Sequence, residues 1–127
     1  MGYRWMSHRP HPLMKDKIGV CISTTAGVGA KKVTKQIKQQ MFWWGMSKTY
    51  MIPFAVAAMS WEEVKPKRQD KIQKKVTKIA RKINNKPTNI RRGLQSKITY
   101  TIMKLQQKNN TWNQLDHEYW KDNGWLS

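Results

Sequence analysis

The chain of 127 residues reads as an α/β protein ordered strand–helix–strand–helix, with two further helices appended after them. Three observations predict that order. An apolar run, Ile18, Val20, Cys21 and Ile22, is broken only by Gly19 and leads directly into the small residues Ser23-Thr24-Thr25-Ala26-Gly27-Val28-Gly29. Apolar residues then recur at helical spacing from Ala30 to Trp44, and a period of two returns in Ser47–Ala58. A strand–helix–strand unit of this length is a right-handed parallel crossover, because parallel neighbours need a connection of a dozen residues or more.

Taken in order, Met1–Ser7 is aromatic and apolar, with Tyr3, Trp5 and Met6, and suits the end of a helix in the middle of a fold. His8-Arg9-Pro10-His11-Pro12 is expected to be extended, since each proline disfavours helix in the residue before it. The first strand, Lys17–Ser23, looks covered on both faces, as strands of parallel sheets are. Its loop holds no bulky charged side chain, so a ligand can approach the backbone at the carboxyl end of the strand, where open α/β sheets place their sites. The plainer alternative is an ordinary tight strand-to-helix turn.

The helix from about Ala30 to Trp44 carries the stripe Ala30, Val33, Ile37, Met41 and Trp44, with Lys31, Lys32, Lys35 and Lys38 on its other faces. Gly45 is placed to end it. In the second strand, Tyr50, Ile52, Phe54 and Val56 alternate with smaller positions, and Pro53, which cannot donate to a ladder, makes it an edge strand. Ser60-Trp61-Glu62-Glu63 matches a capping box, so a first helical turn is predicted at 61–64, a kink at Pro66, and a longer helix at about 67–83. Its core face is Ile72, Val76, Ile79, Ala80 and Ile83. A linker at 84–89 contains Pro87. A further helix over about 91–107 has the stripe Leu94, Ile98, Thr101/Ile102 and Leu105, and Asn113 caps a short one over 114–122 that Gly124 ends. Trp112, Leu115, Tyr119, Trp120 and Trp125 are too many large apolar groups to leave in water, and must pack on the body or on a partner. No internal repeat at solenoid periods is present.

The net charge is +18, from 25 basic and 7 acidic residues. The segment 61–108 holds 15 of the basic residues against Glu62, Glu63 and Asp70, so twelve of those charges lie in the second half. Such a balance makes polyanions candidate partners. Cys21 is the only cysteine, which rules out an intrachain disulfide and suits a reducing cytoplasm. Lying inside the apolar strand, it reads as an inert core residue. His8, His11 and His117 lack cysteine partners at zinc spacing, so no metal site is expected. The longest apolar run, 50–59, is about half of the ~18 residues a spanning helix needs, and the first residues lack the order of a signal peptide. A cytoplasmic chain with no membrane span is the expectation.

The segment PLMKDKIGVCISTTAGVGAKKVTKQIKQQMFWWGMSKTY, with HRPHP before it and DHEYWKDNGWL near the end, resembles flavodoxin-like NAD(P)H-dependent oxidoreductases of the NADPH-dependent FMN reductase type. The resemblance runs over essentially the whole chain and rests on the ensemble of HRP, ISTTAG, MFWWG and EYWKDNGWL. It implies the C-terminal part of a flavodoxin-like parallel sheet. Lys17–Ser23 would be the fourth strand of five and Lys48–Val56 the fifth. Residues 1–86 would form a partial flavodoxin-like domain, and 87–127 a helical extension packing on it. By resemblance, Thr24, Thr25, Ala26 and Gly27 line the isoalloxazine side of an FMN site, with NAD(P)H as electron donor. The family's phosphate-binding loop after the first strand has no counterpart in this sequence, nor has the loop after the third.

That departure directs the functional expectation. In such sites backbone N–H groups at a helix N-terminus hold the phosphate, each bond to a charged group contributing about 1.5–3 kcal/mol. Without them the chain alone is expected neither to bind FMN tightly nor to turn over NAD(P)H. It is a truncated product, or one half of a site completed by a second copy or a complementing chain through the exposed edge of 17–23. No catalytic acid or base is needed, because the flavin carries the hydride chemistry; His8 and Arg9 either face the flavin edge or serve the connection. The alternative is a basic nucleic-acid- or polyanion-binding protein. Against specific nucleic-acid recognition, the sequence has no aromatic pair of the RNA-binding type, no helix-turn-helix spacing and no zinc motif. A lysine-rich helix face is more simply a solvated one.

Overall fold

The computed structural model describes residues 5–85 and 92–127. Among them lie two strands and five α-helices: α1 (Trp5–His8), β1 (Ile18–Thr25), α2 (Ala30–Trp43), β2 (Lys48–Ala55), α3 (Pro66–Asn84), α4 (Leu94–Lys108) and α5 (Gln114–Asp122). A 3-10 turn over Pro12–Asp16 joins α1 to β1. The strands form a parallel pair in the register Ile18↔Lys48 to Thr25↔Ala55, crossed by α2. Together these elements make the mixed α/β order that the periodicities predict. The linker expected at 84–89, the boundary at 86/87 and the start near Arg91 of the helix expected over 91–107 lie largely outside the described residues.

Parity along β1 decides what each face meets. Gly19 and Cys21 are buried against α2. A Cβ on Gly19 would lie 2.5 Å from Met41 Sδ, and Cys21 Sγ lies 3.5 Å from the same sulfur. Burial is the main cause that pushes the Cys21 thiol up, with Lys38 opposing it, so this cysteine is the inert residue expected. The other parity places Ile22 beside Ile52 and Thr24 beside Phe54, under α3. That face is only part-covered. Ile52 is buried, but Ile22 is 63% exposed, which corrects the expectation of a strand enclosed on both sides.

The turn chemistry departs from expectation in two places. Ser60–Glu63 does not start a helix. It forms a turn in which Val64 N–H donates to the Trp61 carbonyl and Glu63 accepts from the Met59 N–H, while α3 begins at Pro66 with no kink. Proline at the first helical position lacks only an N–H that the helix would leave unpaired, so it outcompetes the capping box upstream. Near the N-terminus, His8 closes α1 rather than lying extended, whereas His11 is extended before Pro12 as required.

Helix faces are also rotated from those expected. On α2 the buried positions are Ala30 and Thr34, and Val33 and Trp44 turn outward. On α4 the predicted stripe faces solvent: Leu94, Ile98, Ile102 and Leu105 are each more than half exposed. The opposite side packs instead, through Ser96, Tyr100 and Gln107. Tyr100 stacks on Trp120 of α5 at 5.3 Å between centroids, and Trp125 meets both rings edge-on. Burial beside these rings raises the Tyr100 phenol above its ordinary range. The tryptophan-rich tail therefore packs on the body of the chain through Trp120 and Trp125, while Trp112 and Leu115 stay exposed.

Polar contacts clasp residues 7–10 to the C-terminal helices. Gln107 donates to the Ser7 carbonyl at 2.7 Å, Tyr119 to that of Pro10 at 3.1 Å, and the Trp120 indole to that of His8. Asp116, buried in the first turn of α5, accepts from His8 Nδ1 at 2.6 Å, Arg9 Nε at 2.8 Å and Asn113 Nδ2 at 3.0 Å. Asn113 caps α5 by accepting from the Asp116 N–H, as expected. No helix among the described residues is long and apolar enough to cross a membrane.

Candidate functional site

The loop after β1 sits at the carboxyl edge of both strands. The Thr25 carbonyl accepts from the Val56 N–H at 2.8 Å, which fixes the loop to the end of β2. Gly29 then turns the chain into α2. Its φ is 102°, a left-handed value, and it precedes α2 without a side-chain cap. Nothing lies within 4 Å of a Cβ built on Gly27 or Gly29. The need for glycine at position 29 is thus one of backbone conformation, and at Gly27 the open space leaves room for close approach.

β1 runs two residues past its expected end at Ser23, so Thr24 and Thr25 are its last residues, paired with Phe54 and Ala55, and only Ala26 and Gly27 lie on the turn. The two threonine side chains point to opposite faces. Thr25 sits on the α2 side, its hydroxyl directed to the Gly27 carbonyl at 3.4 Å. Thr24 lies on the α3 side and lines a groove of about 310 Å³ with Ile22, Phe54, Ser60, Trp61 and Val76. No charged side chain lines it among the described residues, although the chain carries +18. Arg68 secures the adjoining end of α3, donating to the Val56 carbonyl at 2.8 Å.

Sequence reasoning did not single out Phe54, Ser60 and Trp61 as neighbours of Thr24. Phe54 was accessible from the register of two parallel strands. The position of Trp61 depends on the turn at 61–64 being non-helical, which local pattern misjudges. His8 and Arg9 are engaged with Asp116 in the clasp, and serve the connection. Among the described residues no three His, Cys, Asp or Glu side chains gather as a metal would require.

Away from this groove, α3 presents a cationic face. Lys67, Lys71, Lys74, Lys75, Lys78, Arg81 and Lys82 are all exposed and fall within an arc of about 120° at 100° per residue. Asp70 pairs with Lys74 at 2.7 Å. Compared with known proteins, the chain matches no family model, no curated protein and no solved structure.

Proposed function

We propose that this chain carries the second half of a flavodoxin-type, FMN-dependent NAD(P)H oxidoreductase domain, with the ring side of a flavin site and not its phosphate side. The observation that carries the reading is the Thr24–Gly27 stretch, the end of β1 and the turn after it, at the carboxyl edge of a parallel β–α–β unit, beside an apolar groove walled by Phe54 and Trp61. A flat ring suits such walls, with the Thr24 hydroxyl and loop N–H groups to orient its polar edge. FMN, when bound, supplies hydride transfer, and the protein's part is to position it. The phosphate is a poor fit. Among the described residues, only the uncapped start of α2 offers N–H groups near the loop. One helix start falls short of the several converging donors that give such sites their affinity.

The side of β1 that has no strand partner among the described residues is where a second copy or a complementing chain would finish the sheet. It spans eight residues, Ile18–Thr25, with no proline or charge among them, and so lacks the usual protection of an edge strand. The test is a fluorescence titration of FMN against the 127-residue protein. Alone, the protein is expected to show no saturable quenching at micromolar concentrations. Co-expressed with the first half of a flavodoxin-type reductase, it is expected to bind FMN saturably, and Thr24→Tyr, which fills the groove, is expected to abolish that binding. Saturable binding by the single chain as a monomer would overturn the incomplete-site reading. No binding by the reconstituted pair would overturn the flavin assignment.

A second reading, polyanion binding, rests on the α3 face. Seven exposed cations on one arc can neutralise phosphates without reading sequence. Lysine predominates, which suits point-charge contacts over bidentate base recognition. Binding to a duplex oligonucleotide is expected to fall with a log–log salt slope of about −0.9 per phosphate contacted. Lys71→Gln, Lys75→Gln and Lys78→Gln together are expected to reduce that slope by roughly 2–3. An equal reduction from Lys31→Gln, Lys32→Gln and Lys35→Gln on α2 would leave only overall charge as the cause.

A further inference from the structure

A second cleft, independent of the flavin reading, opens between α2 and α4 beside the first residues of β2. It encloses about 260 Å³ and is lined by Lys38, Phe42, Ser47, Thr49, Gln95 and Ser96 among others. Two hydroxyls in its lining are anomalous. Ser47 Oγ and Ser96 Oγ are both buried and have no hydrogen-bond partner among the described residues, and Ser96 as a residue is only 5% exposed. Buried hydroxyls in folded proteins are ordinarily paired. Two orphans from different elements lining one cavity indicate a missing acceptor or donor there.

The surroundings select the chemistry. Ser96 lies in the first turn of α4, a helix of 15 residues whose N-cap, Gly93, provides no side-chain cap. N–H groups at such a start carry partial positive charge and favour anions. Lys38 supplies a full positive charge from α2. Lys48 also lines the cleft, but its ammonium lies over the Tyr50 ring at 5.6 Å, so its charge is directed elsewhere. No carboxylate lines the cleft among the described residues. An adjoining cavity of about 310 Å³ shares Lys38, Phe42 and Gln95 and adds Trp43, which places aromatic surface next to the polar end.

We propose that this cleft binds a small phosphate monoester, its phosphoryl oxygens accepting from the Ser96 and Ser47 hydroxyls, Lys38 and the first N–H groups of α4. An attached flat group would extend over Phe42 toward Trp43. Phosphate suits the donor set better than a carboxylate does, because it presents acceptors in three directions to donors arriving from two helices and a strand end.

The Ser96→Ala variant separates a binding role from a structural one. A partnerless hydroxyl contributes no bond to the folded protein, so its removal is expected to leave the melting temperature unchanged or raised. Inorganic phosphate and phenyl phosphate, titrated by calorimetry at constant ionic strength, are expected to bind wild type saturably, phenyl phosphate the more tightly. Ser96→Ala and Lys38→Gln are each expected to weaken both by roughly ten- to a hundredfold. Lys31→Gln, the same charge change elsewhere on α2, is expected to have no effect. Equal weakening by Lys31→Gln, no saturable binding to wild type, or a melting temperature lowered by Ser96→Ala would each overturn the proposal. Equal affinity for the two ligands would restrict the site to the phosphoryl group and overturn its aromatic extension.

Discussion

Trp120→Ala is expected to lower the unfolding free energy by about 3–5 kcal/mol, the range for deleting a fully buried aromatic residue. Trp120 is 0% exposed. Its indole stacks on Tyr100 and meets Trp125 at 5.5 Å, and its N–H donates to the His8 carbonyl. Truncation therefore opens a cavity between α4 and α5 and leaves a carbonyl of the clasp without its donor. Trp120→Phe keeps an aromatic face for Tyr100 and loses the N–H, so it is expected to cost less, about 1–3 kcal/mol. Urea denaturation monitored by far-UV circular dichroism measures both. Domains have only about 5–15 kcal/mol to spare, so the alanine variant is expected to be partly unfolded at 37 °C. A loss below about 1 kcal/mol for Trp120→Ala would show that the aromatic cluster is not the core of the C-terminal half.

The legible part of this chain was its elements, and the illegible part was their facing. Gly45, with a φ of 91°, ends α2 where its sequence says it should, and Asn113 caps α5 as expected. These are local signals, carried by one or two residues with a specific conformation or side-chain acceptor. Facing is a tertiary property. On α4 the aliphatic series Leu94, Ile98, Ile102 and Leu105 is the better periodic stripe, yet it loses to the side holding Tyr100 and Gln107. That side gains a stack on Trp120 and a bond to the Ser7 carbonyl. Neither partner is near in sequence, so no window of the sequence contains the competition. The same holds at the candidate site. Thr24–Gly27 was visible as a small-residue loop, but the groove beneath Thr24 depends on Trp61, whose place is decided by Pro66 starting α3. The orphaned hydroxyls of Ser47 and Ser96 carry no sequence signal at all, since serine is unremarked at a strand start and in a first helical turn.

Asp116→Asn is expected to cost about 2–3 kcal/mol and to release residues 6–10 from the body of the chain. The aspartate side chain is 3% exposed and accepts three hydrogen bonds, two from charge-capable partners on the segment 8–9. A carboxylate accepts only, so His8 Nδ1 must carry the hydrogen it presents. Asparagine keeps one acceptor oxygen and turns an N–H₂ toward donors, so at least one of the three contacts becomes donor against donor. Removing the buried member of an ion pair commonly costs about 3–5 kcal/mol. The cost is expected to be smaller for this pair, because the Arg9 and His8 side chains are 39% and 34% exposed and can turn to water. By the same exposure, Arg9→Ala alone is expected to cost at most about 1 kcal/mol. The double variant is then expected to be less destabilised than the sum of the two, since both remove one contact. Thermal melting reads the loss as a fall of roughly 6–15 °C for Asp116→Asn, and hydrogen exchange locates it. Amides of residues 6–9 are expected to lose protection while those of β1 keep it. Loss of protection throughout β1 and β2 would mean that the clasp and the parallel pair unfold as one unit, and that the C-terminal helices are integral to the sheet rather than appended to it.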